Sequence, residues 1–393
     1  MRYSCIFVAI KPPNWALAMK RNPFIVAGKI PAEFFCDRIE ETQKLIKCIE
    51  NQENVLLISP RRVGKTGLIN HCFELSEMAN DSVMINIDIL HTTSLREFIR
   101  ELGNAVFRSM ASQSQKLTQR FAAIIKSLTA SFSYDPVLNL PTFDIKLGDI
   151  ESPQYTLTEI FQYLNESEQR VIVAIDEFQQ IVYYPEQNVE ALLRSHIQQS
   201  SGINFIFAGS ERRIMNEMFN SKKRPFYRSA TTINLAPIAL NVYARWATQF
   251  FEQAGKSISP QAIAMAYDSF QGVTLYVQRI MHDAYASMGE GEHCDVPLVQ
   301  NMIEKYLQEN DTSLRQQLAF VSEQQKEVLY AIAAEGEATA ITGAAFVKRH
   351  HLKSPSSVQH AVKKLLEADM LTQNGRCYSL SDPLLQLWFK QKL

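Results

Sequence analysis

Residues 59–66 read Ser-Pro-Arg-Arg-Val-Gly-Lys-Thr and close a short apolar run, Asn54–Ser59. A buried strand broken at Pro60, followed by Gly-Lys-Thr at the head of a helix, leaves this part of the chain few alternatives. It is the GxxxxGK[ST] pattern, matched at Gly64, Lys65 and Thr66, with Ser59 at the first glycine's place. Such a loop turns its backbone N–H groups inward to cradle phosphate oxygens, and the helix N-terminus adds partial positive charge. Gly64 lets the backbone come close. Lys65 suits the β- and γ-phosphates, and the Thr66 hydroxyl suits Mg²⁺. Ser59 can begin the loop if its φ is negative. Pro60, Arg61, Arg62 and Val63 complete the loop, and Gly67 follows it.

A second apolar run, Val171–Ile175, ends directly in Asp176-Glu177. A carboxylate at the end of a buried strand reaches a metal through its water shell, which is the place for Asp176. Glu177 is placed to polarise an attacking water. Further strands are expected at Val83–Ile89, Asn204–Ala208 and Thr232–Leu235. Helices are expected from Thr66 to about Met78, at Ser94–Met110 and at Thr156–Asn165. The alternation at Phe143, Ile145 and Leu147 suggests a small hairpin inserted within residues 126–149. Apolar strands alternating with helices predict an α/β fold, a parallel sheet covered on both faces. Ligands of such sheets bind beyond the carboxyl ends of the strands. Ser59, Asp176 and Ser210 should therefore converge on one edge. Ser210 reads either as a contact to the γ-phosphate or attacking water, or as a cap for the next helix.

The 393 residues exceed one ordinary core and imply two or three domains. From Asn241 the strands stop, and helices are expected at 242–255, 260–270, 275–288 and 296–308. Asn310, Asp311, Thr312 and Ser313 read as a linker. Residues 1–20 read as a lead-in, with Met19 an alternative start. The net charge of −1 gives no global attraction for a polyanion, so any nucleic-acid surface must be local. Six scattered cysteines without metal-ligand spacing fit a reducing, cytoplasmic setting. No apolar run approaches the roughly 18 residues that span a membrane.

Near the C-terminus, Ser354-Pro355 is a helix start. Val358, Ala361, Val362, Leu365 and Leu366 form its apolar stripe. Ser356, Ser357, Gln359, His360, Lys363 and Lys364 occupy the other face, and no Asp or Glu occurs from Ala338 through Leu366. Met370–Leu380, with Asn374-Gly375 inside, reads as a hairpin. This is the order of a winged helix. Its basic face, 348–364, suits DNA phosphates, while packing or protein contact explains the same residues equally well.

Together these motifs resemble the archaeal-type ATPases of the AAA+/STAND group, over roughly residues 21–393. Phe35-Cys36-Asp37-Arg38 with Glu40-Glu41 resembles the family's N-terminal element, which lies beside adenine; outside that likeness Phe35 reads as core. Pro60–Thr66 is the family's form of the P-loop. Asp176-Glu177 matches its second motif, and Gly209-Ser210 its sensor. Pro225-Phe226-Tyr227-Arg228 resembles its Pro-Leu-Tyr-Gly-Arg element, with the arginine one place early. Gly272 resembles the glycine of a lid motif whose proline is here Thr274. The resemblance implies a P-loop NTPase core at 21–240, a helical lid at 241–311 and a winged helix at 314–393. It implies ATP and Mg²⁺ as ligands, with Phe35 and Arg38 joining residues 59–67 around the nucleotide. Thr66 and Asp176 would serve the metal, and Glu177, Lys65, Ser210 and Arg228 the reaction. The cluster Arg212, Arg213, Arg224 and Arg228 reads also as a solvated basic face. The expected activity is ATP hydrolysis coupled to domain movement; the alternative is a slow-turnover, nucleotide-gated DNA-binding regulator. A homo-oligomer and a protein client are further candidate partners.

Overall fold

The computed structural model describes residues 21–75, 82–110, 115–127, 133–135, 140–142 and 145–392. The expected lead-in at 1–20, Met19 and Met78 lie outside them. Strands β1 (Val55–Ile58), β2 (Ser82–Asp88), β3 (Ser133–Asp135), β4 (Leu140–Thr142), β5 (Arg170–Asp176), β6 (Ile203–Gly209) and β7 (Thr231–Asn234) come first. Five of them form one sheet in the order β2-β5-β6-β1-β7, every neighbouring pair parallel.

Side chains alternate across the sheet, as strand geometry requires. Leu56 and Ile58 of β1 join a core built with the helices Leu95–Ser109, Pro153–Asn165, Val189–Gln199 and Arg212–Asn220. Val55 and Leu57 point the other way, into a second core with Leu45 and Ile49 of Ile39–Glu50 and Leu68 and Ile69 of Lys65–Leu75. Two covered faces explain why β1 and β6 are buried along their whole lengths. Edge strand β2 alternates instead, with Val83, Ile85 and Ile87 inward.

The inserted hairpin exists within residues 126–149, pairing β3 with β4 ahead of the alternation that suggested it. Ile145 is buried core, Leu147 begins a short 3-10 turn, and Phe143 lies outside the described residues.

Beyond the sheet come the helices Leu240–Gln253, Pro260–Ser269, Thr274–Ser287 and Val296–Ala319. Two expectations fail here. Strands do not end at Asn241, because β8 (Ser257–Ile258) and β9 (His293–Cys294) make a short parallel pair. Nor are residues 310–313 a linker, since they lie inside the 24-residue helix Val296–Ala319. Tertiary partners outweigh their turn-prone composition. Leu307, Leu314 and Leu318 are buried along one stripe, and the Asp311 carboxylate accepts from Trp388 Nε1 (2.8 Å) and Arg315 Nε (2.6 Å).

The C-terminal unit has the winged-helix order expected. The helices Glu323–Glu335, Ala344–Arg349 and Pro355–Glu367 pack with β10 (Ala338–Thr339), β11 (Leu371–Asn374) and β12 (Cys377–Leu380), in the order β10-β12-β11. The hairpin is thus part of a three-stranded sheet, and the helix Pro383–Lys390 closes the chain. The lid helices and the winged helix share one continuous apolar core, from Phe24 and Phe251 through Leu307 to Phe389. No helix among the described residues is long and apolar enough to cross a membrane. Cys36, Cys48, Cys72, Cys294 and Cys377 are free thiols.

Candidate functional site

The carboxyl ends of β1, β5 and β6 bring Ser59, Asp176 and Ser210 to one rim, because all three strands run parallel and adjacent. Ser59 is fully buried, and its N–H donates to Gly209 O at 3.3 Å. Its φ is not positive, so a serine meets no conformational obstacle there. Gly64 has φ +98°, with nothing within 4 Å of where a Cβ would stand. The glycine is required by backbone conformation and not by crowding. Arg62 is left-handed as well, at φ +66°. A Cβ on Gly67 would stand at ordinary contact distance from Ile30 and Phe35.

Around this loop the predicted residues form one bonded group. Thr66 Oγ1 donates to Asp176 Oδ2 at 2.6 Å. Lys65 Nζ lies 3.5 Å from Glu177 Oε1, with both side chains largely buried. Ser210 Oγ donates to Glu177 Oε2 at 2.6 Å. It does not cap the following helix, whose N-cap position is Glu211. Burial raises the Asp176 pKa, against the Thr66 hydroxyl and the Lys65 charge. Burial pushes Glu177 the same way, but Lys65, Ser210, Gln179 and Arg61 together bring it below the usual carboxylate range. Glu177 is therefore ionised at neutral pH and able to accept a proton.

Sequence reasoning did not find Gln179. It is fully buried, and its Nε2 donates to Glu177 Oε2 at 2.6 Å. A Cβ on Gly209 would stand 2.6 Å from Gln179 Oε1, so the glycine at the end of β6 makes room for the amide. The sequence offered only a Gln179-Gln180 pair between Phe178 and Ile181, with nothing to say which of the two turns back to Glu177.

Arg38 is buried and holds the loop from outside. Its Nη2 donates to Val63 O at 3.3 Å and its Nη1 to Glu41 at 2.9 Å. Phe35 stacks on His71, with centroids 3.8 Å apart. Arg228 is exposed, has φ +50° and lies over its neighbour Tyr227; it is not in the bonded group around Glu177. Arg224 pairs with Glu190 at 2.6 Å, an internal tie and not a solvated charge.

The two loop arginines face residues from far along the chain. Arg61 Nε is 3.2 Å from Asp369 Oδ2, just past the winged helix's exposed helix, and 3.4 Å from Ser210 Oγ. Arg62 donates to Asp382 Oδ2 at 2.7 Å and to the Tyr276 hydroxyl, which itself donates to Asp382 Oδ1 at 2.7 Å. Arg62 O accepts from Leu275 N–H at 3.1 Å, so the helix Thr274–Ser287 begins on the loop itself. The Arg61–Asp369 pair is half exposed and so stabilises by at most about 1 kcal/mol. The Arg62 group is a charge-assisted network closed at three points and holds more firmly.

On the winged helix, Ser356, Gln359, His360, Lys363 and Lys364 are exposed as expected, whereas Ser357 is half-buried, its hydroxyl turned back to Ser354 O. Arg349 is exposed and His350 half-buried, and both pair with one carboxylate. Glu335 accepts from both, at 2.7 and 2.8 Å. Lys364 is 3.2 Å from Glu367.

A family model described as an ATPase domain predominantly from Archaea matches residues 35–274. The chain belongs to that family. A model described as a probable winged helix domain matches residues 312–391. The chain's fold is similar to that of a Walker-type ATPase of Pyrococcus abyssi, at 18% identity and TM-score 0.66, over 94% of this chain and 99% of that one. It is also similar to the ORC2 protein of Aeropyrum pernix in ADPNP-ADP complexes, at 14% identity and TM-score 0.59, over 95% and 98%. No curated protein matches the sequence.

The donor set fits Mg²⁺. Among the described residues no cluster of three or more His, Cys, Asp or Glu could cage a metal, whereas a Thr hydroxyl bonded to a buried Asp is the partial site Mg²⁺ takes when phosphates complete its shell.

Proposed function

We propose that this protein binds ATP with Mg²⁺ at residues 59–67 and hydrolyses it, and that the nucleotide's state sets the position of the winged helix. The carrying observation is the bonded group itself: Thr66 on Asp176, and Lys65 and Ser210 on Glu177. The loop amides and Lys65 bind the phosphates. Thr66 and Asp176 hold Mg²⁺, which supplies neutralisation of phosphate charge. Glu177 orients the water and takes its proton, with Ser210 and Gln179 fixing the carboxylate. Phe35 and Arg38 border the nucleotide, Phe35 as an apolar surface and Arg38 by bracing the loop. Arg228 is a candidate for transition-state charge only from a neighbouring copy. The face at 348–364, through Lys348, Lys353, Lys363 and Lys364, is proposed to meet DNA phosphates.

One observation favours a second reading, a slow-turnover, nucleotide-gated DNA-binding regulator. Arg61 and Arg62 are both engaged by winged-helix aspartates and not left free for phosphate.

Phosphate release by wild type, Glu177→Gln and Lys65→Ala, with and without duplex DNA, separates the readings. Hydrolysis requires that Glu177→Gln keep nucleotide but stop turnover, and that Lys65→Ala lose binding. Turnover unaffected by Glu177→Gln removes its role. Turnover that is negligible until DNA is added favours the regulator.

A further inference from the structure

We propose that Arg61 supplies the positive charge that stabilises the phosphoryl-transfer transition state within its own chain, and that Asp369 of the winged helix withholds it. The inference rests on the ATP-hydrolysis reading above and names a catalytic group and its control.

Position is the first argument. Arg61 Nε lies 3.4 Å from Ser210 Oγ, which in turn bonds Glu177 Oε2 at 2.6 Å. The guanidinium is one hydroxyl away from the carboxylate that receives the water's proton. Arg61 also belongs to the loop that wraps the phosphates, and its side chain is about half exposed and held by a single ion pair. Arg62, by contrast, is fixed to Tyr276 and Asp382 and cannot swing without breaking both. Of the two loop arginines, Arg61 is the one able to reach the γ-phosphate.

Charge is the second argument. Asp369 sits near Glu177 and Glu211, and Arg61 is the cation paired with it. A triphosphate entering the loop adds several negative charges to this group. Arg61 then has a stronger anion to serve than a half-exposed carboxylate, and Asp369, left unpaired among like charges, is repelled. Release of Asp369 loosens the end of the helix Pro355–Glu367 from the nucleotide site.

In the step itself the water oxygen bonds to the γ-phosphorus as the bond from that phosphorus to the β–γ bridging oxygen breaks. That electron pair leaves on ADP, and the water proton passes to Glu177. Arg61 hydrogen-bonds the phosphoryl and bridging oxygens as their charge grows. The products are ADP and inorganic phosphate.

The test compares phosphate release and binding of a fluorescent ATP analogue for wild type, Arg61→Ala, Asp369→Asn, the double variant and Glu177→Gln. Asp369 has φ +52°, a conformation asparagine also accepts, so Asp369→Asn keeps the fold. Arg61→Ala is expected to lower kcat on the order of 100-fold or more while leaving nucleotide affinity within a few-fold. Asp369→Asn should raise kcat severalfold, and only when Arg61 is present. Arg61→Ala turning over like wild type overturns the assignment, as does Asp369→Asn accelerating the Arg61→Ala protein equally. Wild type no faster than Glu177→Gln overturns the hydrolysis reading and this inference with it. Wild type faster than Glu177→Gln but equal to Arg61→Ala overturns the Arg61 role alone.

Discussion

The Glu177 carboxylate meets three polar side chains at the rim of the sheet, and its two oxygens are treated differently. Oε2 accepts from Ser210 and from Gln179, both at 2.6 Å, while Oε1 meets only Lys65 at 3.5 Å. Two short bonds on one oxygen fix the plane of the carboxylate. In the proposed hydrolysis the phosphates take Lys65, and Oε1 is left for the water. Methionine fills the volume of glutamine but donates no hydrogen bond. Gln179→Met should therefore lower kcat roughly tenfold or more, as misplacing a catalytic group does, with nucleotide affinity and melting temperature near wild type. Unchanged kcat in Gln179→Met would reduce Gln179 to packing.

Among the elements, the helix Pro355–Glu367 shows how local chemistry sets a boundary. Ser354 lies outside the helix with extended backbone, and its Oγ accepts from Ser357 N–H at 3.2 Å. Pro355 needs no partner for its missing N–H at the first helical position. Val358, Ala361, Val362 and Leu365 are buried, which turns Lys363 and Lys364 outward. Loss of the cap in Ser354→Ala should cost about 1 kcal/mol, read as a lower urea midpoint with an unchanged slope. The same change should leave ATP turnover intact, because the cap lies at the far end of the helix from Asp369. A drop in turnover at full folding would mean that the helix start, and not only its end, is coupled to the nucleotide site.

For the molecule as a whole, the lid and winged helix behave as one packed body, since their apolar side chains form a single core. The helix Val296–Ala319 runs through both, and Asp311 within it binds Trp388 and Lys392 of the terminal segment. Phe389 is fully buried in that core. Phe389→Ala should cost about 3–5 kcal/mol and lower hydrogen-exchange protection in the lid helices Pro260–Ser269 and Thr274–Ser287 together with the winged helix. Lost protection confined to residues after Phe320 would show two independent units. The shared core also carries both Asp369 and Asp382 to the loop.

By itself the sequence determined the parallel sheet, the phosphate loop and the winged-helix order. Each of these is written in short-range signals: apolar runs, a Gly-Lys-Thr at a strand-helix junction, a Ser-Pro helix start. It also determined that Lys65, Thr66, Asp176, Glu177 and Ser210 would meet, because parallel strands deliver their carboxyl ends to one edge. Only the tertiary structure decided what Arg61 and Arg62 face, since Asp382 lies 320 residues from Arg62 and no local pattern marks either aspartate. It likewise decided that Asn310–Ser313 are helical, that Arg349 and His350 pair with Glu335, and that Gln179 is buried on Glu177. In each case the partner that outweighs local propensity is remote in the chain, and a charge or amide declares its role only when that partner is beside it.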